Sequence, residues 1–85
     1  MINLADFREA IHEAPIVPVL TVPGAEYAAP LAHALMKGGL RSAEVTLRTD
    51  AALDVIAEMK RAEPALIVGA GTICSEGDVD AALKA

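Results

Sequence analysis

Short strand-like segments that alternate with helical patterns are the feature of this sequence that most constrains its fold. These segments are 16–20, 43–47 and 65–68, and each precedes a segment with apolar residues at three- and four-residue spacing. Strands that alternate with helices in this way favour parallel pairing and right-handed crossovers. The sequence therefore predicts an α/β fold with a parallel sheet of three strands.

A further helical pattern precedes the first strand. Asn3 is its predicted N-cap, and its apolar face consists of Leu4, Phe7, Ala10 and Ile11. The chain is thus predicted to be one partial domain over residues 1–85, with a leading helix and three β/α units. A closed eight-stranded barrel needs at least about 200 residues, so three strands cannot close one without other copies or another chain. Both edges of the sheet are expected to stay open.

The connections between these elements contain recognisable helix signals. Gly38 and Gly39 are predicted to end the second helix. Thr49 is the predicted N-cap of the third helix. Ser75 and Asp78 resemble a capping box at the start of the fourth helix. The connections are short, so no linker or domain boundary is expected.

Composition argues against several classes of function. The chain is 54% hydrophobic with one Phe, one Tyr and no Trp, so its core must be aliphatic. A formal net charge of −5 repels nucleic-acid backbones and anionic membrane surfaces. Cys74 alone cannot form an intramolecular disulfide, and neither a signal peptide nor an apolar run of transmembrane length is present. The expected location is the cytoplasm.

Polar side chains alternate with apolar ones along the second predicted strand. Period two places Glu44, Thr46 and Arg48 on one face, and Val45 with Leu47 on the other, toward the helices. Polar groups on an inner face cost desolvation energy unless they are partnered, which indicates a wet, functional interior. Glu44 can act there as an acid or base, and Arg48 as an anion clamp. A simple ion pair on a solvated surface is the open alternative.

The third strand runs into a short glycine-containing segment, Gly69-Ala70-Gly71-Thr72. Glycines let a ligand approach the backbone, and the Thr72 hydroxyl can donate to a carboxylate or carbonyl oxygen. The segment has no third glycine that opens a helix, which disfavours a nucleotide site. His12, His33 and Cys74 match no metal-ligand spacing, so we interpret them as surface or packing residues. A functional role for Cys74 stays open.

The order and spacing of three segments resemble the opening of a known enzyme family. The 2-keto-3-deoxy-6-phosphogluconate and 4-hydroxy-2-oxoglutarate aldolases begin in a similar way to PIVPVL, AEYAAPLAHALMKGGLRSAEVTLRT and ALIVGAGTI. EVTLRT, followed about twenty residues later by VGAGT, is the most specific pair. The similarity covers nearly the whole chain, and it implies the first three units of a TIM (β/α)8 barrel.

The resemblance also implies an activity and a set of site residues. Members of the family are class I aldolases that cleave 2-keto-3-deoxy-6-phosphogluconate reversibly into pyruvate and glyceraldehyde 3-phosphate through a Schiff base. By resemblance, Glu44 is the general acid/base, Arg48 binds the pyruvoyl carboxylate, and Thr72 hydrogen-bonds the same end. No metal or organic cofactor is implied. The expected assembly is a homo-oligomer, either trimer-like as in the family or paired through the open edges.

The Schiff-base lysine of the family lies on the sixth strand, which three β/α units do not reach. Lys37, Lys60 and Lys84 fall near the C-terminal ends of predicted helices, where cations favour the helix dipole. The chain alone is therefore expected to be inactive. One alternative is a non-catalytic α/β module that self-associates and binds at most a small anion. Another is that the sequence is part of a longer, active protein.

Overall fold

A computed structural model describes residues 3–85, in which helices and parallel strands alternate. The elements are α1 (Leu4–Glu13), β1 (Val19–Leu20), α2 (Ala28–Lys37), β2 (Ser42–Thr46), α3 (Ala52–Ala62), β3 (Ile67–Gly71) and α4 (Glu76–Lys84). A 3₁₀ turn, Ala25–Tyr27, leads into α2. The strands form one parallel sheet in the order β1-β2-β3. The predicted α/β fold with three parallel strands is confirmed.

The β1 strand is shorter than its apolar run predicted. Only Val19 and Leu20 pair with β2, opposite Glu44 and Val45. Pro18 accepts a hydrogen bond from the Glu44 amide at 2.9 Å, but it has no amide hydrogen to return. Regular pairing therefore starts only after the proline. The β2–β3 ladder is longer, with five residue pairs from Ser42↔Ile67 to Thr46↔Gly71.

The core lies between the outer face of the sheet and helices α2 and α3. Val45 on β2 is fully buried, as are Val55 and Met59 on α3. Ala28 and Ala32 of α2 are buried in the same cluster, where α2 packs mainly against α3. Complete burial of a side chain such as Val or Met contributes about 1.5–3 kcal/mol. The predicted aliphatic core is thus confirmed.

Two of the predicted helix starts are confirmed by their hydrogen bonds. The Asn3 side chain accepts from the Asp6 amide at 2.8 Å at the start of α1. The Ser75 hydroxyl accepts from the Asp78 amide at 3.1 Å at the start of α4. The Asp78 carboxylate in turn accepts from the Cys74 amide at 3.0 Å. These bonds satisfy amide groups that have no partner within the helix.

The predicted cap at Thr49 is wrong. Helix α3 begins at Ala52 with Ala51 as its N-cap, and no side chain caps it. The Thr49 hydroxyl instead donates to the Val22 carbonyl at 3.0 Å, which ties this turn to the end of β1. The predicted stop of α2 is confirmed, because Gly39 follows the helix with a φ of +90°, a conformation that favours glycine.

Helix α1 lies at the amino end of the sheet. Its Glu13 forms an ion pair with Arg41, the residue that precedes β2. Ala10 is buried, whereas Leu4 and Phe7 remain 64% and 40% exposed, so the apolar face of α1 is only partly covered. Across residues 3–85, no helix is long and apolar enough to cross a membrane.

Candidate functional site

The inner face of β2 carries polar side chains, as the alternation predicted. Val45 points to the buried helix side, while Glu44 and Thr46 lie on the opposite face. Glu44 is half-buried, and Thr46 is only 5% exposed. The expected inner-face position of these two residues is therefore confirmed.

The Glu44 carboxylate lies over Gly71 of the neighbouring strand. A methyl carbon placed on Gly71 would be 2.7 Å from both Cδ and Oε2 of Glu44. Glu44 is paired with Gly69 in the ladder, whereas Gly71 is paired with Thr46. The Glu44 side chain thus extends diagonally toward the carboxyl edge of the sheet. This contact depends on strand register, and single-strand alternation could not reveal it.

Hydrogen bonds from threonine hydroxyl groups connect the end of β1 to the end of β2. Thr21 Oγ1 lies 2.8 Å from Thr46 Oγ1, one residue beyond the last regular pair of the two strands. The bond from Thr49 to the Val22 carbonyl adds a second connection. Thr21 lies at a strand end, where a parallel sheet is expected to bind ligands, but it was not among the three residues with a predicted role. Its position directly after the first apolar run was the only available signal.

Arg48 and Thr72 lie beyond the ends of their strands. Strand β2 ends at Thr46, and Arg48 is exposed in the following turn, so strand alternation does not determine where its side chain points. The interpretation that Arg48 shares the strand face of Glu44 is therefore corrected: Arg48 lies in the turn after β2 and not on the strand. Thr72 directly follows β3, is exposed, and has a φ of +59°. Such a conformation is strained for a β-branched residue, and strain of this kind is common at functional sites.

The other candidate groups lie away from this edge or lack activating partners. His33 Nδ1 is 2.6 Å from Glu63 Oε1 at the helix layer, and Cys74 is exposed. Within the described residues, no three His, Cys, Asp or Glu side chains are grouped to hold a metal ion. On the exposed side of α3, the hydrogen bond from Arg61 lowers the pKa of the Glu58 carboxyl. That pair has no part in the site.

The lysines all lie on helices. Lys37 and Lys84 are the last residues of α2 and α4. Lys60 lies in the last turn of α3, and its Nζ donates to the Ala85 carbonyl at 2.8 Å. The predicted positions near helix C-termini are thus confirmed. The carboxyl edge offers a carboxylate for proton transfer, with a hydroxyl and a guanidinium in the adjoining loops for binding an anion.

Comparison with known proteins places this chain in a family. The family model for KDPG and KHG aldolases matches residues 7–85. A 2-dehydro-3-deoxy-phosphogluconate aldolase of Pseudoalteromonas atlantica is 48% identical over 66 residues, which are 78% of this chain and 31% of that protein. The aldolase of the same name from Zymomonas mobilis is 42% identical over 96% of this chain and 39% of its own length. The chain thus spans about a third of the curated relatives that it matches.

Solved structures agree with the sequence comparison. The 2-keto-3-deoxy-6-phosphogluconate aldolase of Zymomonas mobilis with 3-phosphoglycerate matches with a TM-score of 0.83 and 40% identity, over 96% of this chain and 39% of that one. The KDPG aldolase of Legionella pneumophila, with pyruvate captured as a covalent carbinolamine intermediate, matches with a TM-score of 0.80 and 33% identity, over 88% and 36%. The chain therefore belongs to the KDPG and KHG aldolase family.

Proposed function

We propose that this chain supplies one part of the active site of an aldolase that cleaves 2-keto-3-deoxy-6-phosphogluconate reversibly into pyruvate and glyceraldehyde 3-phosphate. The main support is the half-buried Glu44 carboxylate, which extends to the carboxyl edge of the sheet in a chain of this family. The pyruvate adduct of the Legionella pneumophila relative supports a pyruvate-type substrate.

Each of the three predicted site residues has a proposed role. Glu44 exchanges a proton with the substrate, because a carboxylate near the strand end can act as a general acid/base. Arg48 binds the substrate carboxylate, since a guanidinium forms a planar fork that matches two carboxylate oxygens. Thr72 donates its hydroxyl to the same end of the substrate. A lysine outside these three β/α units forms the Schiff base, which accepts electrons as the carbon–carbon bond breaks.

The proposal implies that the 85-residue chain alone does not catalyse the reaction. Its lysines lie on helices, whereas the proposed nucleophile must reach the carboxyl edge of the strands. Borohydride reduction in the presence of pyruvate tests this point, because it converts a Schiff base into a stable adduct. No increase in mass is expected for the isolated chain, and a pyruvate adduct on Lys37, Lys60 or Lys84 would refute the proposal.

A chimera tests the proposed roles directly. Residues 1–85 replace the matching part of the Zymomonas mobilis aldolase, and cleavage is followed by pyruvate release. Glu44→Gln keeps the size of the side chain but removes the base, so kcat is expected to fall by about two or more orders of magnitude. Arg48→Lys loses the planar fork and is expected mainly to raise KM.

A matched control separates the role of Glu44 from a general loss of charge. Glu9 is exposed on α1 and is not one of the residues with a proposed role, so Glu9→Gln removes one negative charge without changing the site residues. This variant is expected to keep wild-type kcat and KM. Equal activity of the Glu44→Gln and Glu9→Gln chimeras would rule out the acid/base role, and the ion-pair interpretation would then be preferred.

Self-association is a second candidate property, supported by the open edges of the sheet. Among the described strands, none covers the outer side of β1 or β3. Ile16 and Val19 near β1 are 69% and 64% exposed, and Leu83 on α4 is 61% exposed. We propose that copies of the chain, or the rest of an aldolase barrel, cover these apolar surfaces in the cytoplasm.

A further inference from the structure

The position of the Glu44 carboxylate depends on the absence of a side chain at Gly71. A methyl carbon on Gly71 would lie 2.7 Å from Cδ and Oε2 of Glu44, and 3.1 Å from Cγ. Ordinary contacts between carbon atoms begin near 3.5 Å, so all three atoms occupy space that any other residue would fill. Gly71 itself is buried, which leaves no open solvent into which a new side chain could turn.

The backbone does not explain a glycine at this position. Gly39 is the glycine with a positive φ in the part of the chain that the structure describes, and Gly71 has no such conformation. Glycine is depleted in strands, and where it does occur it often marks the close approach of another group. The approaching group at Gly71 is the carboxylate of Glu44.

Register explains why this contact matters for the site. Glu44 pairs with Gly69, yet its carboxylate lies over Gly71, two residues further along β3. The Glu44 side chain therefore leans along the strand toward the carboxyl edge, far enough for its carboxylate to occupy the space beside Gly71. The residue that it contacts, Gly71, is paired with Thr46 and directly precedes Thr72.

We infer that Gly71 is a positioning residue for Glu44. Because Gly71 has no side chain, the Glu44 carboxylate can occupy the space beside it, toward the carboxyl edge of the sheet. The inference concerns the same site as the proposed aldolase function and rests on it for its catalytic consequence. The location of the carboxylate itself does not depend on that function.

Gly69 provides a matched control on the same strand and the same face. A methyl carbon there would have the Ala43 carbonyl oxygen as its nearest neighbour at 4.0 Å, which is ordinary contact. Gly69→Ala and Gly71→Ala therefore make the same chemical change in one strand. Only the second displaces the Glu44 carboxylate, and because that group ends a flexible side chain, the fold can adapt to the change.

The first experiment uses the 85-residue chain and side-chain NMR. A nuclear Overhauser effect between the Glu44 Hγ protons and Hα of residue 71 is expected in the wild type and in Gly69→Ala. It is expected to disappear in Gly71→Ala, while the chemical shifts of the buried Val45 and Val55 stay close to those of the wild type. Persistence of the effect in Gly71→Ala, or its loss in both variants, would overturn the inference.

The second experiment measures the catalytic consequence in the chimera. Displacement by about 1 Å can cost as much as roughly 100-fold in rate, so Gly71→Ala is expected to lower kcat by about 10- to 100-fold with little change in KM. Gly69→Ala is expected to lower kcat much less than Gly71→Ala does, and in a Glu44→Gln background Gly71→Ala has no further effect. If Gly71→Ala lowers kcat by the same factor in the Glu44→Gln background as in the wild type, Gly71 does not act through Glu44 and the inference is overturned. An inactive wild-type chimera would refute the proposed function, while the NMR result would still decide the inference.

Discussion

The hydroxyl oxygens of Thr21 and Thr46 lie 2.8 Å apart, where β1 and β2 leave their regular pairing. The two residues differ in environment, because Thr46 is 5% exposed whereas Thr21 is largely exposed to solvent. One of the two hydroxyls donates and the other accepts. Removal of the Thr21 hydroxyl therefore leaves a buried hydroxyl without its partner, whereas removal of the Thr46 hydroxyl leaves an exposed one.

This asymmetry predicts unequal effects of the two isosteric valine substitutions. Thr21→Val leaves the buried Thr46 hydroxyl without its partner and is expected to lower the free energy of unfolding by about 1–3 kcal/mol. Thr46→Val leaves the Thr21 hydroxyl, which water can satisfy, so about 0.5–1.5 kcal/mol is expected. Urea denaturation measures both values. The double variant should lose less than the sum, and strict additivity would show that the hydroxyls do not interact.

Local and non-local contacts explain how much of this site the sequence could predict. The inner position of Glu44 and the burial of Val45 follow from alternation within one strand, and both were predicted correctly. The Thr49 hydroxyl bonds the Val22 carbonyl, 27 residues away, so a local capping pattern could not reveal it. The contact of Glu44 with Gly71 likewise depends on β2–β3 register, which two strand patterns do not specify.

The limits of the strands were harder to predict than their existence. The first apolar run covers 16–20, yet β1 contains only Val19 and Leu20, because Pro18 cannot donate to the ladder. Arg48 continues the alternating pattern in the sequence, but β2 ends before it. Apolar patterns therefore indicated where strands occur, while hydrogen bonding determines where they stop.

Ser42 has a buried hydroxyl with no hydrogen-bond partner among the residues that the structure describes. A buried polar group without a partner costs about 1–3 kcal/mol, so Ser42→Ala is expected to raise the free energy of unfolding by about 1 kcal/mol or more. Ser75→Ala is the matched control, because the Ser75 hydroxyl caps α4 and its loss should cost about 1 kcal/mol. Thermal unfolding of the two variants should therefore shift in opposite directions. A loss of stability in both would indicate that the Ser42 hydroxyl is partnered.

The positive φ of Thr72 predicts that this residue is strained, and its hydroxyl has a proposed role in substrate binding. Asparagine tolerates a φ of +59° better than a β-branched residue does, so Thr72→Asn is expected to stabilise the chain by about 1 kcal/mol. Thr72→Val keeps the branch and the strain, and no gain is expected. Urea denaturation checks both values. In the chimera, Thr72→Val also removes the proposed hydrogen bond to the substrate and should raise KM, whereas Thr72→Ser should not.

The open edge of β1 predicts that self-association responds to charge at that edge. Val19 is 64% exposed on a strand whose outer side pairs with no other described strand, and a lysine on such an edge opposes pairing with another chain. Val19→Lys is expected to shift the 85-residue chain toward monomer in sedimentation velocity at micromolar concentration. Ala57→Lys adds the same charge at an exposed position on α3 and should leave the association unchanged. If the wild-type chain sediments as a monomer, or if both variants dissociate equally, edge pairing does not hold the copies together. General charge repulsion would not explain the second result, because one added lysine makes the formal net charge of −5 less negative and so weakens repulsion between copies.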